Sequence, residues 1–536
     1  MAERGQPRRT GSRALRAVRW LWGALRGEVV KRIGGPARAR VITLFGAVLA
    51  LNGADTATVG AVAPQLERAL HIGNTKIGLL SSIALLVGAV TTVPVGMLVD
   101  RVRRMPLLAV SIVLWSLASL FSAFAGSYSS LLLTRLVLGA VTATAGPAIA
   151  SLSGDYFPAA ERGRVWAYIL GGEIAGTALG FTVSGAVASL IDWRAAFVLL
   201  ALPGFFLART LWRTVPEPLR GGQSRLAPGV TDLTAAVAGD GGAPGGPGPE
   251  DTPERGPEHE HELAYQAVSE RGIEPDPKLV LNRDPAEMPL SVAVRYVMLV
   301  PTNVMLIIGS ALGYFFFSGL QTFAVLFVRG HYHASQAEAT LVLALLVVGG
   351  MIGTLVSGRV TDLLVHRGAI EARIWIPGVC YLGATALLVP GILGTSLTPA
   401  LWFDVGGAAL LLAANPPLDA ARLDIMPAGL WGRAESIRTV LRSLAQAAAP
   451  LVFGGLSQLI AGVLPAQTPV GTKPATGVIT PSSARGLEIT FLIMLSTLAA
   501  AGVFLWRART SYPRDVATAA ESQRRVSAAA AGGPGR

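Results

Sequence analysis

The feature that most constrains this chain is a series of twelve apolar stretches, each close to the length needed to cross a lipid bilayer. A membrane-spanning helix needs about 20 predominantly apolar residues to cross roughly 30 Å of hydrocarbon. Six stretches precede residue 213 and six follow residue 294, and the 51% share of hydrophobic residues agrees with this pattern. The expected spans lie near residues 41–64, 76–98, 106–125, 129–150, 164–190, 195–212, 297–328, 338–358, 373–394, 400–423, 433–463 and 486–507.

Basic residues cluster beside particular stretches, and this placement predicts how the chain crosses the membrane. Residues 1–40 contain eleven Lys or Arg against two Glu, without the cleavable apolar core of a signal peptide. Loops rich in Lys and Arg stay in the cytoplasm, so both termini are expected there, in a multi-pass protein of the plasma membrane. The net charge of +12 indicates contact with anionic membrane lipids and no nucleic-acid partner, because the bases form no continuous groove.

The segments outside the apolar stretches differ from them in composition. Residues 213–294 are rich in Gly, Pro and acids, which predicts a disordered cytoplasmic linker between six-helix bundles at 41–212 and 295–507. The basic segment 1–40 is expected in the cytoplasm, either with an amphipathic helix on the membrane surface or as a disordered arm. Residues 508–536 are expected to form a loose cytoplasmic tail.

Two short motifs occur once in each group of six stretches. Residues 155–164 (DYFPAAERGR) and 424–433 (DIMPAGLWGR) share Asp, Pro, Gly and Arg at the same spacing, offset by 269 residues. Gly96 and Asp100 are repeated, with the same spacing, as Gly358 and Asp362. Two matches in the same order indicate a duplicated six-helix unit whose halves meet around a central cavity.

The sequence "GMLVDRVRR" (96–104), between the second and third stretches, resembles the signature loop of the major facilitator superfamily, G-x-L-x-D-R-x-G-R-[RK]. Gly96, Asp100, Arg101 and Arg104 match, whereas Arg103 stands where the family often has Gly. "TRLVLGA" (134–140) and "DWRAAF" (192–197) are similar to its fourth-helix and sixth-helix motifs. The resemblance implies an all-α membrane protein of twelve transmembrane helices in two pseudo-symmetric six-helix bundles.

The resemblance also implies a role for the repeated acids. In the family, the acid of this loop stabilises the closed cytoplasmic gate by facing the N-terminus of the eleventh helix, which carries a partial positive charge. Asp100 is therefore expected near Gly432, and by the repeat Asp362 is expected near Gly163 at the fifth helix. The simpler interpretation is that the neighbouring arginines only fix the topology.

The first stretch points to a branch of the superfamily. "LNGADTATVGAVAPQL" (51–66) is similar to the first-helix motif N-Y-x-D-R-x-x-[LI]-x-x-x-x-P of spinster-like proteins and anion symporters. Asp55 and Pro64 match, and Thr56 replaces the Arg of the motif. The spinster-like branch includes lipid-like substrates, whereas the missing Arg argues against carrying over its coupling scheme.

Charged residues inside the expected spans are candidate functional groups, since each costs several kcal/mol unless it is paired or faces a water-filled cavity. The offset of 269 relates Arg135 to Asp404 and Glu173 to Arg442, so corresponding positions carry opposite charges. We expect these groups to line the central cavity, with Glu173 or Asp55 exchanging a proton. The six candidates are Asp55, Arg135, Glu173, Asp404, Arg438 and Arg442.

Arg442 and Arg438 are expected to bind an anionic substrate head. For Arg135, Arg438 and Asp404, a structural position near the membrane interface is an equal alternative. Two further patterns concern packing alone. Glycines at every fourth position from 172 to 180 allow close helix contact. The prolines at 147 and 416–417 predict either hinges or, more simply, kinks. His331 and His333 are expected to be exposed on a loop, where they have little effect.

The chain has no Walker loop, H-E-x-x-H pair or nucleophile elbow in a loop, so no enzyme activity, cofactor or metal is expected. We expect a monomeric secondary active transporter that moves a small organic solute, anionic or amphiphilic, by alternating access. The expected partners are this solute, protons or another coupling ion, and membrane lipids. The alternatives are a proton-coupled multidrug exporter and a non-transporting membrane sensor or scaffold.

Overall fold

The computed structural model describes residues 33–157, 161–218, 257–282, 288–464 and 481–531, together with the isolated positions 30, 226, 229–231, 233 and 285. Every regular element within these residues is a helix, and twelve helices are long and apolar enough to cross a membrane. The predicted all-α fold with twelve spans is therefore confirmed. The spans are α1 Pro36–Leu70, α2 Asn74–Arg101, α3 Arg104–Ala123, α4 Tyr128–Tyr156, α5 Arg164–Leu190, α6 Trp193–Thr214, α7 Pro301–His331, α8 Gln336–His366, α9 Ala372–Leu393, α10 Leu397–Asp424, α11 Trp431–Val463 and α12 Pro481–Ala508.

The two halves, α1–α6 and α7–α12, repeat one packing scheme. In the first half α1 packs on α5, α3 on α6, and α2 on α4. In the second half the corresponding pairs α7 with α11, α9 with α12, and α8 with α10 pack in the same way. Helices at equivalent positions thus have equivalent neighbours, as expected for a duplicated unit.

Glycines bring α5 close to α1. A side chain at any of the three glycines that recur at every fourth position of α5 would collide with the backbone of α1, so a larger residue does not fit there. The predicted close packing of this stripe is confirmed. Gly172, Gly176 and Gly180 lie against the backbone of Gly46, Ala50 and Ala54, respectively.

Three spans depart from a regular α-helix. The helix of α4 is interrupted between Thr142 and Ala145, close to Pro147. The helix of α10 is interrupted between Ala413 and Asn415, directly before its two prolines. Both predicted kinks are thus present, since proline removes a backbone donor and clashes with the preceding turn. In α5, one wider π-helical turn at Gly180–Ser184 adds a third irregularity.

The structure differs from the expected disordered linker over residues 257–282 and from the expected loose tail over 512–531. A linker helix (Pro257–Glu270) and a C-terminal helix (Tyr512–Ala531) form there, and a short helix (Leu290–Leu299) joins the linker to α7. Ala264, Val268 and Val297 join the apolar core of the second half. The composition of the linker did not predict this docking, because its few apolar residues become buried only against helices that are distant in the sequence.

Hydrogen bonds tie the linker to the C-terminal helix. The backbone N–H of Asp276 donates to Oγ1 of Thr518 at 2.8 Å, and that of Leu281 donates to Oγ of Ser522 at 3.0 Å. On the first half, Leu226 is buried in the apolar core, so the linker is anchored at both ends. Residues 234–256 and the basic segment 1–29 lie outside the described part of the chain, as do the side chains of His259 and His261.

The halves meet on one side of the bundle. We call the side where α1 begins and α12 ends the termini side, and the other the opposite side. Among the described residues, the hydrogen bonds between the two halves come from the parts of the helices that lie nearer the opposite side. Asn74 donates to Ser457 at 3.0 Å, and Gln336 donates to the carbonyl of Ala61 at 2.6 Å.

On the termini side the same helices are apart. Met97 of α2 is 54% exposed, and Leu441 of α11 is also exposed. Gly96 and Gly432 have open space where a side chain would project. The bundle is therefore closed on the opposite side and open on the termini side.

Candidate functional site

A buried ion pair lies inside the first half. Arg135 of α4 donates to both carboxylate oxygens of Asp55 on α1, at 3.3 and 3.1 Å. The guanidinium also lies over the ring of Phe197 from α6, 4.6 Å from its centroid, and reaches Ser122 of α3 at 3.5 Å. Arg135 is 1% exposed and Asp55 is 5% exposed. The pair joins helices of one half and does not face the other half.

Glu173 and Arg442 belong to different halves and lie within electrostatic range of each other. Glu173 of α5 accepts a hydrogen bond from Asn52 of α1 at 3.4 Å, and Arg442 of α11 lies within electrostatic range of its carboxylate. The guanidinium of Arg442 lies over the ring of Tyr314 from α7, 4.6 Å from the centroid. The structure therefore brings together the two opposite charges that the repeat relates.

Arg438, one turn before Arg442 on α11, is already neutralised. It contacts Asp419 of α10 at 2.7 Å and Glu435 of its own helix at 3.1 Å. Arg422 of α10 pairs with Glu435 as well. A substrate anion that binds Arg438, as predicted, would therefore compete with the two carboxylates that already pair with it.

Arg442 differs from the other candidate cations in its partners. Arg135 and Arg438 form ion pairs, whereas Arg442 forms none with any residue that the structure describes. Its Nε is buried without a hydrogen-bond partner. A buried guanidinium donor without an acceptor loses the hydrogen bonds it would make in water, so an incoming anion at this point restores them.

An apolar cavity of about 30 Å³ adjoins this pair. It lies where α5 of the first half meets α7, α8 and α10 of the second half, and Thr177 on its wall is one turn from Glu173. A smaller cavity next to it includes Tyr314, the residue beneath Arg442. The main lining residues are Thr177, Phe181, Phe317, Leu343, Leu346 and Leu411.

The residues that line this cavity and the position of Tyr314 beneath Arg442 were not predicted from the sequence. The lining residues are ordinary apolar residues within spans, and no local pattern distinguishes them from lipid-facing positions. Tyr314 alone gave a weak signal, since an aromatic residue with a polar tip in mid-span usually finds a partner.

Asp404 does not join the central group. Its carboxylate packs against Gly391 of α9, and it lies within electrostatic range of Tyr332 at the opposite-side end of α7. The expectation that Asp404 and Arg135 line the central cavity together is therefore wrong. Among the described residues, Arg135 contacts Asp55, Ser122 and Phe197 of the first half, whereas Asp404 packs against α9 of the second half.

The signature loop supplies a buried ion pair through its last arginine. Arg104 pairs with Asp155 at the end of α4, and its Nε contacts Glu217, just after α6, at 3.0 Å. The same offset of 269 gives Arg373 and Asp424 in the second half, and these two residues form an ion pair at 2.5 Å. The aspartates were aligned by the repeat, but their arginine partners were not recognised from the sequence.

The predicted gate residues make few contacts within the described part of the chain. Asp362 and Arg101 are exposed on the termini side, and neither forms a hydrogen bond or ion pair with another residue that the structure describes. This agrees with the open termini side, because a closed gate would bring α8 and α5 together there. The side chain of Asp100 and the surroundings of Gly163 lie outside the described part of the chain, so the contact of Asp100 with α11 stays a prediction.

Several transporters have similar sequences. The "Uncharacterized transporter YybO" of Bacillus subtilis is 26% identical over 193 residues, 36% of this chain and 44% of YybO. The 4-hydroxybenzoate transporter PcaK of Pseudomonas aeruginosa is 29% identical over 185 residues, 34% of this chain and 41% of PcaK. Human "Protein spinster homolog 1" is 30% identical over 204 residues, 37% of this chain and 39% of that protein. Each match thus spans about two fifths of the relative's length.

Solved structures agree over a longer part of the chain. A bacterial homologue of the human lysosomal transporter Spinster, in an inward-facing and occupied conformation, has a TM-score of 0.68 and 20% sequence identity. The match covers 90% of this chain and 98% of that one, and at this identity it shows the fold. The family model of the Major Facilitator Superfamily matches residues 45–450. The chain, with its repeated six-helix halves and signature loop, belongs to the major facilitator superfamily.

Proposed function

We propose that this protein is a secondary active transporter of a small anionic organic solute with an apolar part. The observation that carries the proposal is Arg442, a guanidinium without an ion-pair partner among the described residues, within electrostatic range of Glu173 in the other half. A group placed between two halves that are closed on one side is in position to bind a solute that both halves enclose.

The chemistry around Arg442 favours an organic acid or an acidic amphiphile. The guanidinium presents several donors in a planar fork that matches a carboxylate or phosphate. The adjoining cavity has an apolar lining that suits an aromatic or aliphatic body. The names of several relatives specify organic acids, namely 4-hydroxybenzoate, L-galactonate and galactarate or D-glucarate.

Glu173 is the proposed proton-carrying group. Without solute, its carboxylate and the guanidinium of Arg442 attract each other. A bound anion competes for Arg442 and removes part of this attraction, so Glu173 then takes up a proton more readily. Loading of the solute and loading of the proton are coupled in this way without direct contact between them.

Alternating access would follow from the two sides of the bundle. By the positive-inside rule the termini side is the cytoplasmic side of the plasma membrane, so the arrangement described above is the inward-open state. In the proposed outward-open state, the hydrogen bonds of Asn74 and Gln336 break and the signature loop closes the termini side. Each chain contains both halves, so a monomer suffices.

Comparative mass spectrometry of cells that lack or overproduce the protein identifies the solute. Purified protein in liposomes then tests the mechanism. We expect Glu173→Gln to retain exchange of internal for external solute but to lose accumulation driven by a pH gradient. Arg442→Gln should lose both, because the anion has no cation to bind. Glu274→Gln, a change at an exposed linker residue, is the matched control and should keep wild-type rates.

Three results would contradict this proposal. Full pH-driven accumulation by Glu173→Gln would remove Glu173 from the coupling step. Binding of cationic drugs in place of anions, weakened by Glu173→Gln, would support the multidrug exporter. A folded protein that moves no compound under any gradient would support the sensor or scaffold.

A further inference from the structure

His331, expected on an exposed loop, is in fact the last residue of α7 and is largely enclosed. Its side chain is 15% exposed. The imidazole stacks on Phe327, with ring centroids 5.0 Å apart and an angle of 17° between the planes. Tyr332 packs against it edge-on at 4.6 Å. Such enclosure fixes the orientation of the ring, so its two nitrogens have defined partners.

Both ring nitrogens of His331 face acceptors. Nε2 lies 2.7 Å from the carbonyl oxygen of Gly394, in the turn between α9 and α10. Nδ1 lies 3.3 Å from Oε2 of Glu488 on α12. A neutral imidazole carries one N–H, so one of these contacts would set a lone pair against an oxygen. Only the doubly protonated ring donates to both partners.

We propose that His331, Glu488 and the Gly394 carbonyl form a proton-binding site on the opposite side of the membrane. The site is separate from Glu173 and Arg442, and its ligand is a proton taken from the aqueous phase on that side. Proton uptake gives His331 a charge next to the Glu488 carboxylate, which is buried at 3% exposure. The charged donor then joins α7, α12 and the α9–α10 turn.

The other charged groups around the site are few. From α12, Arg485 pairs with Oε1 of Glu488 and leaves Oε2 to His331. From α10, Asp404 lies within electrostatic range of Tyr332. On the same segment as His331, Arg329 precedes it and the exposed His333 follows it. Glu488 is thus the carboxylate in direct contact with the imidazole, and Arg485 is the cation that shares this carboxylate.

The site also affects the contact between the halves. Five residues after His331, Gln336 at the start of α8 donates to the carbonyl of Ala61 on α1. A protonated His331 holds the end of α7 in place and so stabilises the corner from which Gln336 reaches the first half. At acidic pH on the opposite side, the closed arrangement of that side is therefore favoured.

Thermal unfolding in detergent across pH tests the site on the full chain. Below the usual pKa of histidine, at about pH 5.5, we expect His331→Gln to lower the unfolding midpoint by about 2–4 °C relative to wild type. The difference should vanish near pH 8, where we expect the proposed site to have released its proton and one of the two hydrogen bonds to be lost. The stabilisation is thus present at low pH and lost as pH rises.

Two further variants separate protonation from simple packing. Glu488→Gln keeps the size of the side chain and removes its charge. In this variant, the stabilisation that His331 provides at acidic pH should be smaller. His333→Gln replaces the exposed neighbouring histidine and should follow the wild-type curve. A deficit of His331→Gln that is equal at both pH values would overturn the proposal and leave His331 as a packing residue.

The gate effect has its own measurement. In a Cys380→Ser background, Thr75→Cys places a thiol beside the contact between α2 and α11, and its alkylation by an impermeant maleimide reports opening of the opposite side. The ratio of alkylation rates with and without His331→Gln cancels the pH dependence of the thiol itself. We expect the ratio to show several-fold faster alkylation of the variant at acidic pH and no difference at alkaline pH. A ratio independent of pH would contradict a link between this site and the gate.

Discussion

The two halves are alike at their termini-side ends and different at the centre. At the ends, Arg104 with Asp155 and Arg373 with Asp424 form the same buried ion pair twice, at one constant offset. At the centre, the same offset relates Glu173 to Arg442, two opposite charges that lie within electrostatic range of each other. The duplicated pair holds each half together, whereas the divergent pair creates a site that neither half has alone.

The ion pairs at the ends should give the largest change in stability. Asp424→Asn removes the carboxylate that pairs with the buried Arg373, and removing one partner of a buried pair costs about 3–5 kcal/mol. Asp155→Asn should cost less, because Arg104 keeps its contact with Glu217. Chemical unfolding of the two variants in detergent measures the difference. Equal losses would show that the two pairs are energetically equivalent despite the extra carboxylate.

Packing of α5 should give the next largest effect. Gly176→Ala drives a methyl group into the backbone of Ala50 on α1, and such overpacking costs about 1–3 kcal/mol. Gly171, on the same helix, has open space, so Gly171→Ala is a matched control with an expected gain of about 0.5–1 kcal/mol. In the second half, the position equivalent to Gly176 is Ala445, so α11 and α7 already accommodate the methyl group there. Unfolding curves that rank the two variants in the reverse order would contradict the close approach of α1 and α5.

At the central pair, Arg442→Lys should change binding more than stability. Lysine keeps the positive charge but loses the planar fork and most of the stacking on Tyr314. We expect solute affinity to fall about tenfold, equivalent to about 1.4 kcal/mol, with an unchanged unfolding midpoint. Binding titrations beside thermal unfolding separate the two quantities. Unchanged affinity would indicate that only the charge of Arg442 matters.

The contact between the halves should give the smallest effect. Asn74→Ala removes the hydrogen bond to Ser457, worth about 0.5–1.5 kcal/mol, while the bonds of Thr75 and Ser82 remain. We expect a shift of the protein toward an arrangement open on the opposite side, with faster alkylation of a reporter thiol there. Ser457→Ala removes the other partner and should give a similar shift. A large loss of folding stability in either variant would instead assign this bond to the core.

How far the sequence predicts the structure depends on the distance over which each signal acts. The twelve spans and the kinks near Pro147 and Pro416 follow from local composition, and all are present. The proximity of Glu173 and Arg442 was predictable from the sequence, because residues separated by the repeat offset occupy symmetry-related positions in the two halves. The pairing of Arg135 with Asp55 was not, since no offset relates the two and helix packing alone brings them together.

The linker is a second case in which contacts between residues distant in the sequence were not predicted. Its Gly-rich and Pro-rich composition predicts an unstructured segment, yet residues 257–282 dock on the second half. Ala264 and Val268 are buried against helices that are distant in the sequence. The composition of the linker does not predict that these helices pack on it. The site near His331 was misjudged for the same reason, because the enclosing residue Glu488 lies far along the chain on α12.

The bonds between the linker and the C-terminal helix also set an order of events during synthesis. Asp276 and Thr518 are 242 residues apart, so the linker leaves the ribosome long before its partner is made. At about 5–20 residues per second, that interval is on the order of 10–50 s, far longer than local helix formation. The linker segment therefore remains without its partner on the C-terminal helix while the six spans of the second half insert into the membrane. The C-terminal helix Tyr512–Ala531 supplies the partners of the linker, and a chain truncated before this helix would leave the linker without them.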